Sequence, residues 1–259
     1  MKPSDLSSFA ASAELMLNAS GDLIRKMTAK SFDTVIKADG SPVTEVDQAV
    51  EDCIREIILK NHPDHGITGE EREDINTKAE LVWVIDPIDG TLPFLAGFPV
   101  FGTLLALMQN GAPVVGMIDM PMTRERWTGC QGAPTLHNGK QVHTRPCPEL
   151  SQAMMSTSNP DFYSSQDRPY LDRLKEKTRL NVYGGSCMAY AQIASGRIDI
   201  GFDVGFDIYD FLPLVPVIEG AGGIITDWQG NRLTKDSGDR LVACGDKRLH
   251  QQAIGIFNT

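Results

Sequence analysis

Two aspartates three residues apart, Asp86 and Asp89, close an apolar run in the stretch Trp83-Val84-Ile85-Asp86-Pro87-Ile88-Asp89-Gly90-Thr91. The run from Leu81 to Ile85 reads as a buried strand. Pro87 has no amide hydrogen to give to a ladder, so the strand is expected to stop there. Two carboxylates at a strand exit suit a hard cation such as Mg²⁺, which takes oxygen ligands. Gly90 lets a ligand approach the main chain closely, and the amides that follow it suit a phosphate if they open a helix or a nest. The same residues also make an ordinary Asp-Pro and Asp-Gly turn. The stretch alone leaves both readings open.

The rest of the chain restricts the choice. Its 259 residues carry 34 acids against 24 bases, a formal net charge of -10. A diffuse acidic balance without a basic block argues against nucleic-acid binding and suits a protein that concentrates cations. The five cysteines, Cys53, Cys130, Cys147, Cys187 and Cys244, are scattered and show no C-x-x-C spacing. That argues against a zinc site and against a disulfide framework and favours reduced thiols in the cytoplasm. Residues 1–19 lack the basic start and apolar core of a secretory signal, and no apolar run approaches the length of a membrane span.

The elements that must position the acids follow from periodicity. Leu6, Phe9, Ala13, Met16, Leu17, Leu23 and Ile24 predict a helix over 4–26, with Ser4 as candidate cap. Lys37 to Pro42 reads as a polar turn. Val46, Val50, Cys53, Ile54, Ile57 and Ile58 predict a second helix over 44–60. Thr44 and Asp47 have the spacing of a capping box, which alone accounts for Asp47. Asn110-Gly111 predicts a hairpin between strands over 100–108 and 113–117, with a further strand over 124–130. Pro146-Cys147-Pro148 marks a boundary between an N-terminal part, 1–147, and a C-terminal part, 148–259. In the second part strands over 153–157, 180–183, 198–202, 224–226 and 241–244 alternate with helices over 166–177, 186–194 and 209–220 and a closing helix. Ser186 is a candidate cap, and Pro213 and Pro216 are expected to bend or shorten the third of those helices.

Four pieces then fall in one order: Val43-Thr44-Glu45-Val46-Asp47, Gly69-Glu70-Glu71, Asp86-Pro87-Ile88-Asp89-Gly90-Thr91 with Phe94 beyond, and Tyr209-Asp210 followed by Glu219-Gly220-Ala221-Gly222-Gly223. The whole chain resembles the inositol monophosphatase superfamily of Mg²⁺-dependent, lithium-sensitive phosphatases. The resemblance implies a layered α/β (α+β) sandwich, αβαβα, of the inositol monophosphatase and fructose-1,6-bisphosphatase type. Its N-terminal sheet would be antiparallel and its C-terminal part smaller and mixed. It also implies two or three Mg²⁺ ions, held by Glu70, Asp86, the Ile88 carbonyl, Asp89 and Asp210. A cation-activated water would be the nucleophile, oriented by Thr91 hydrogen-bonded to Asp47, with Glu70 assisting. Asp89 and the amides of Gly90 and Thr91 would bind the phosphoryl group, and Gly185, Ser186 and Asp203 would read the alcohol. A homodimer acting on a small phosphorylated alcohol is the usual form.

Within the superfamily, Gly97 to Leu104, Glu125 to Gly129 and Tyr209 to Glu219 are most similar to the histidinol-phosphate phosphatase branch. That branch usually has Asp where this chain has Ser186, and Leu92-Pro93 and Leu212 also depart from the usual pattern. Histidinol phosphate is therefore the first expected substrate and inositol monophosphate the second. Adenosine 3′,5′-bisphosphate comes third. A non-catalytic metal- or phosphate-binding regulator on the same scaffold would lack a ligand or the water-orienting pair, and here every one of those residues is present.

Overall fold

The computed structural model describes residues 2–30, 32–37, 40 and 42–257, so the turn expected over 37–42 lies partly outside the described residues. Two helices open the chain, Pro3–Met27 and Glu45–Asn61. The first begins one residue before Ser4, which places Ser4 in the first turn rather than at the cap. The second is capped as expected: the Thr44 hydroxyl accepts from the Val46 and Asp47 amides, and the Asp47 carboxylate accepts from the Thr44 amide at 2.9 Å. Between the helices a short antiparallel hairpin pairs Thr34–Ile36 with Pro42–Thr44.

A seven-stranded sheet follows, in the order Gly66–Gly69, Leu81–Asp89, Gly102–Gln109, Ala112–Met120, Glu125–Cys130, Leu136–His137, Lys140–Gln141. Only its first pair is parallel. The strands read as unbroken apolar runs because both faces are buried. Trp83, Ile85, Leu105, Leu107 and Met117 pack against the two N-terminal helices, while Val82, Val84, Leu104, Ala106 and Ile118 point the other way. Asn110 and Gly111 make the predicted hairpin turn, both with positive φ, 52° and 81°.

The chain leaves this sheet at Gln141 and enters a five-stranded mixed sheet at Met154. Its order is Leu180–Tyr183, Met154–Thr157, Ile200–Asp203, Leu241–Cys244, Ile224–Asp227. The helices Ser186–Ala194 and Leu214–Gly220 lie between the two sheets, and one core takes side chains from all of them. Helices Arg168–Lys177 and Lys247–Phe257 cover the outer face of the second sheet. The layers run helix, sheet, helix, sheet, helix, as expected.

Three local expectations need correction. Residues 209–220 form two helices, Ile208–Phe211 and Leu214–Gly220, broken at Pro213, whereas Pro216 sits in a first turn where no amide hydrogen is required. Ser186 does not cap its helix; Gly185 precedes it, and Ser186 is the first helical residue with φ 46°. Pro87 does not stop its strand, which continues to Asp89 through a bulge.

The middle helix layer comes very close to the first sheet. A Cβ on Gly116 would lie 2.1 Å from the Pro213 carbonyl oxygen. Gly116→Ala is therefore expected to push the helix Leu214–Gly220 off the sheet and to destabilise the protein by about 1–3 kcal/mol. Urea unfolding measures this, and a wild-type midpoint in the variant would contradict the packing.

Candidate active site

The bulge decides how the acids meet. In a regular strand, residues three apart point to opposite faces. Here Asp86 pairs with Leu104 and Asp89 with Gly102, so three steps on one strand match two on its neighbour. The extra residue turns Asp89 to the same side as Asp86. Pro87, at the bulge, has no amide to leave unpaired, and its carbonyl accepts from Thr103 Oγ1 at 2.9 Å. Asp210 arrives from the second part of the chain, and one carboxylate oxygen from each of Asp86, Asp89 and Asp210 falls within 4.8 Å of the others.

Each acid is held differently. Asp86 is 1% exposed, and neither of its carboxylate oxygens has a hydrogen-bond partner. Asp89 Oδ2 accepts from the Cys187 amide at 2.6 Å, a bond between the two parts of the chain. Asp210 Oδ2 accepts from the Asp207 amide at 2.7 Å, so Asp210 reaches back over its helix start as Asp47 does. Glu70 follows the strand Gly66–Gly69, its amide donating to the Ile85 carbonyl at 3.3 Å. Lys37 Nζ donates to Glu70 at 3.1 Å and to Glu71 at 2.7 Å.

Burial is the main cause of the electrostatics. It pushes Glu70 up to about 7, against the pull of Lys37. It lifts Asp86 well above the usual carboxylate range, and the charges of Glu70, Asp89 and Asp210 add to that; Asp210 is lifted in the same way, with Asp89 its main neighbour. Asp89 and Asp47 are raised less, because the Cys187 and Thr44 donors oppose burial. A buried carboxylate with two unpartnered oxygens among other acids is costly unless a cation completes it. The donor set is all oxygen, which fits Mg²⁺.

The profile of the inositol monophosphatase family matches residues 5–259. The chain belongs to that family. A relative from Arabidopsis thaliana, the chloroplastic bifunctional phosphatase IMPL2, is 45% identical over 98% of this chain and 76% of its own. A histidinol-phosphatase of Chlorobaculum parvum is 30% identical over 88% of each chain. The solved inositol monophosphatase of Zymomonas mobilis superposes with a TM-score of 0.89 at 37% identity, covering 98% of both chains. The protein is thus a metal-dependent phosphoric monoester hydrolase, and the cation of its family is Mg²⁺.

Against that background the expected site residues divide. Asp86, Asp89 and Asp210 come together, and Glu70 and Asp47 lie close enough to raise Asp86. Ser186 meets Gly90 across the gap between the two parts: a Cβ on Gly90, whose φ is 83°, would lie 2.5 Å from Ser186 Oγ. The Thr91 hydroxyl donates to the Ile88 carbonyl at 3.3 Å, not to Asp47, whose Oδ2 is taken by Thr44. Asp203 is not part of the cluster. It is 2% exposed, and it accepts from Thr157 Oγ1 at 2.8 Å, the Ser158 amide at 2.7 Å and the Tyr190 hydroxyl at 2.6 Å. A buried acid already satisfied by three protein donors has little left for a substrate hydroxyl.

Lys37, Asp207 and the Cys187 amide escaped sequence reasoning. Asp207 had a readable signal, since Asp207-Ile208-Tyr209-Asp210 repeats the spacing of Thr44-Glu45-Val46-Asp47. Lys37 had none. A cavity of about 720 Å³ lies away from the cluster, beside the first helix, where Arg25 pairs with Asp22 and Arg126 with Asp119. Its ions neutralise one another, unlike the acids of the bulge.

Two outcomes follow from these environments. The raised acids bind protons more tightly folded than unfolded, so with chelator present stability falls as pH rises from about 4.5 toward the folded value of Glu70, about 7. The melting temperature in chelator is expected to drop by roughly 5 °C between pH 5 and pH 8, at about 2–4 °C per kcal/mol for a chain of this size. Added Mg²⁺ should restore more of it at pH 8 than at pH 5; equal effects at both pH values would contradict the cluster. Separately, Asp203→Ala leaves three donors without an acceptor and is expected to destabilise by about 2–4 kcal/mol. A variant of wild-type stability with an altered KM would return Asp203 to the substrate.

Proposed function

We propose that the chain hydrolyses the phosphate monoester of a small amino alcohol, histidinol phosphate above all. The observation that carries this reading is the charge of the site. Among the leading influences on Glu70, Asp86, Asp89 and Asp210, the one base is Lys37, which acts on Glu70. Asp207 and Glu71 add further negative charge beside them. Cations held by Glu70, Asp86, Asp89 and Asp210 offset most of that charge, so the excess left for the alcohol comes from acids outside the ligand set, such as Asp207 beside Asp210; it favours a cationic leaving alcohol over a second phosphate, which counts against adenosine 3′,5′-bisphosphate. The likeness to a histidinol-phosphatase supports the same choice. Inositol monophosphate is the second reading. Ser186 favours it, because a hydroxyl replaces the expected acid where the alcohol would sit, and so does the likeness to the Zymomonas enzyme.

In this reading Glu70, Asp86, Asp89, Asp210 and the Ile88 carbonyl hold the cations. When bound, Mg²⁺ supplies positive charge to the phosphoryl oxygens and lowers the pKa of water. The Thr91 hydroxyl, which donates to the Ile88 carbonyl, keeps its lone pairs for a hydrogen bond from the attacking water and so orients it. Asp47 and Glu70, whose charges both bear on Asp86, would take the proton. The amides of Gly90 and Thr91 bind phosphoryl oxygens as negative charge develops. Gly185 and Ser186, with Asp207, face the alcohol. The homodimer belongs to the same reading. No helix among the described residues is long and apolar enough to cross a membrane. A cytoplasmic site of action rests on the scattered free cysteines, whereas the Arabidopsis relative is chloroplastic by name.

Phosphate release with Mg²⁺ from histidinol phosphate, inositol 1-phosphate and adenosine 3′,5′-bisphosphate tests this. We expect kcat/KM for histidinol phosphate to exceed the others by roughly ten-fold or more. Asp89→Asn should lower kcat by roughly 100-fold or more while the protein still folds. Preference for inositol 1-phosphate would select the second reading, and near-normal turnover in Asp89→Asn would overturn the site.

A further inference from the structure

Glu70 stands on a loop, and the loop is gripped from behind by a buried ion pair on the helix Glu45–Asn61. Glu51 is wholly buried, and Arg55, one turn on, is 6% exposed. Arg55 Nε donates to Glu51 Oε1 at 2.7 Å. The pair then spends its remaining groups on main chain. Glu51 Oε2 accepts from the Glu71 amide at 2.8 Å, Arg55 Nη2 donates to the Arg72 carbonyl at 3.1 Å, and Arg55 Nη1 donates to the Glu73 carbonyl at 3.0 Å. Three consecutive residues after Glu70 are thus fixed to one helix. On its other side Glu70 is fixed to the strand that carries Asp86, through the Glu70 amide and the parallel pairing of Gly69 with Ile85. Gly69 itself makes room for the pair, since a Cβ there would lie 2.2 Å from Glu51 Oε1.

We propose that Glu51 and Arg55 are positioning residues that hold the Glu70 carboxylate in place for the cation; the proposal rests on the reading that Glu70 is a metal ligand. Stability alone is a weak reason for this pair. Well-packed apolar side chains in place of a buried ion pair are often neutral or better. An apolar pair, however, could not bind the Glu71 amide or the two carbonyls. Partners one step behind a metal ligand set its orientation, and their loss typically weakens metal affinity 10- to 100-fold. Neither side chain touches the reacting atoms. The neighbouring Arg72–Asp52 pair is solvent-exposed and joins only side chains, so it provides a control.

The test compares Glu51→Gln, Arg55→Lys and the control Asp52→Ala with wild type in the full chain. Amide hydrogen exchange is followed in chelator, and Mg²⁺ binding is titrated by calorimetry without substrate. We expect the Glu71 amide, which Glu51 holds, to exchange roughly ten-fold faster or more in both clamp variants, while the strand Leu81–Asp89 stays protected. We also expect Mg²⁺ to bind roughly ten-fold more weakly, with kcat at saturating Mg²⁺ close to wild type. Asp52→Ala should change neither. Faster exchange with unchanged Mg²⁺ affinity would reduce the pair to a structural role and overturn the proposal, as would unchanged exchange. Arg55→Lys keeps the charge and loses only the fork of donors, so it remains informative if Glu51→Gln fails to fold. The exchange measurement needs no turnover. A wild type that binds Mg²⁺ but hydrolyses no monoester would therefore count against the phosphatase reading and leave the clamp standing.

Discussion

Carboxylates buried together repel one another and lose their hydration, and the rest of this molecule can be understood as the means of tolerating that. Asp86, Asp89 and Asp210 share a space less than 5 Å across, with Glu70 and Asp47 close by. No arrangement of protein donors relieves Asp86, whose two oxygens are without a partner. Only one ammonium group, on Lys37, reaches the edge of the group among the described residues. The balance is left for divalent ions, which makes folding and cation binding parts of one equilibrium.

The scaffold holds the acids against this repulsion by drawing them from elements that are rigid for other reasons. Asp86 and Asp89 sit on an interior strand, second from the sheet edge, with both faces packed. Asp47 and Asp210 are each the third residue of a helix and bind back to the amide at its start. Glu70 is pinned between that strand and the second helix. The middle helices touch both sheets, so the part of the chain bearing Asp210 cannot shift without disturbing the part bearing Asp86.

Most of this was legible in the sequence. The unbroken apolar strands, the Asn110-Gly111 turn and the Thr44–Asp47 capping box are local, and local chemistry determines them. The carboxylate set was legible only through resemblance, because nothing local joins residue 86 to residue 210. The misreadings have a common cause. Pro87 was expected to end a strand; instead its own strand bulges there and regains its pairing with the neighbour at Asp89, which is a tertiary effect. Ser186 has the side chain of a cap, but it is the first residue of the helix, in a left-handed conformation, with its hydroxyl against Gly90 of the other part of the chain. Asp203 lies at the right distance from Asp210 along the chain, but Tyr190, from a different helix, takes its second oxygen. The Glu51–Arg55 pair was hidden in an apolar stripe, where four-residue spacing of opposite charges usually means a surface pair.

The bond from the Cys187 amide to Asp89 joins residues nearly a hundred positions apart. During synthesis the chain emerges from its N-terminus, so the residues of the first sheet are made before the helices Ser186–Ala194 and Leu214–Gly220 that cover one of its faces. Until Cys187 and Asp210 have cleared the ribosome, Asp86 and Asp89 face solvent beside an unfinished wall. The nascent chain therefore has an acidic strand exit able to attract hydrated cations loosely, but it has no closed site in which to hold them. A product cut short before Asp210 would lack one of the three clustered acids.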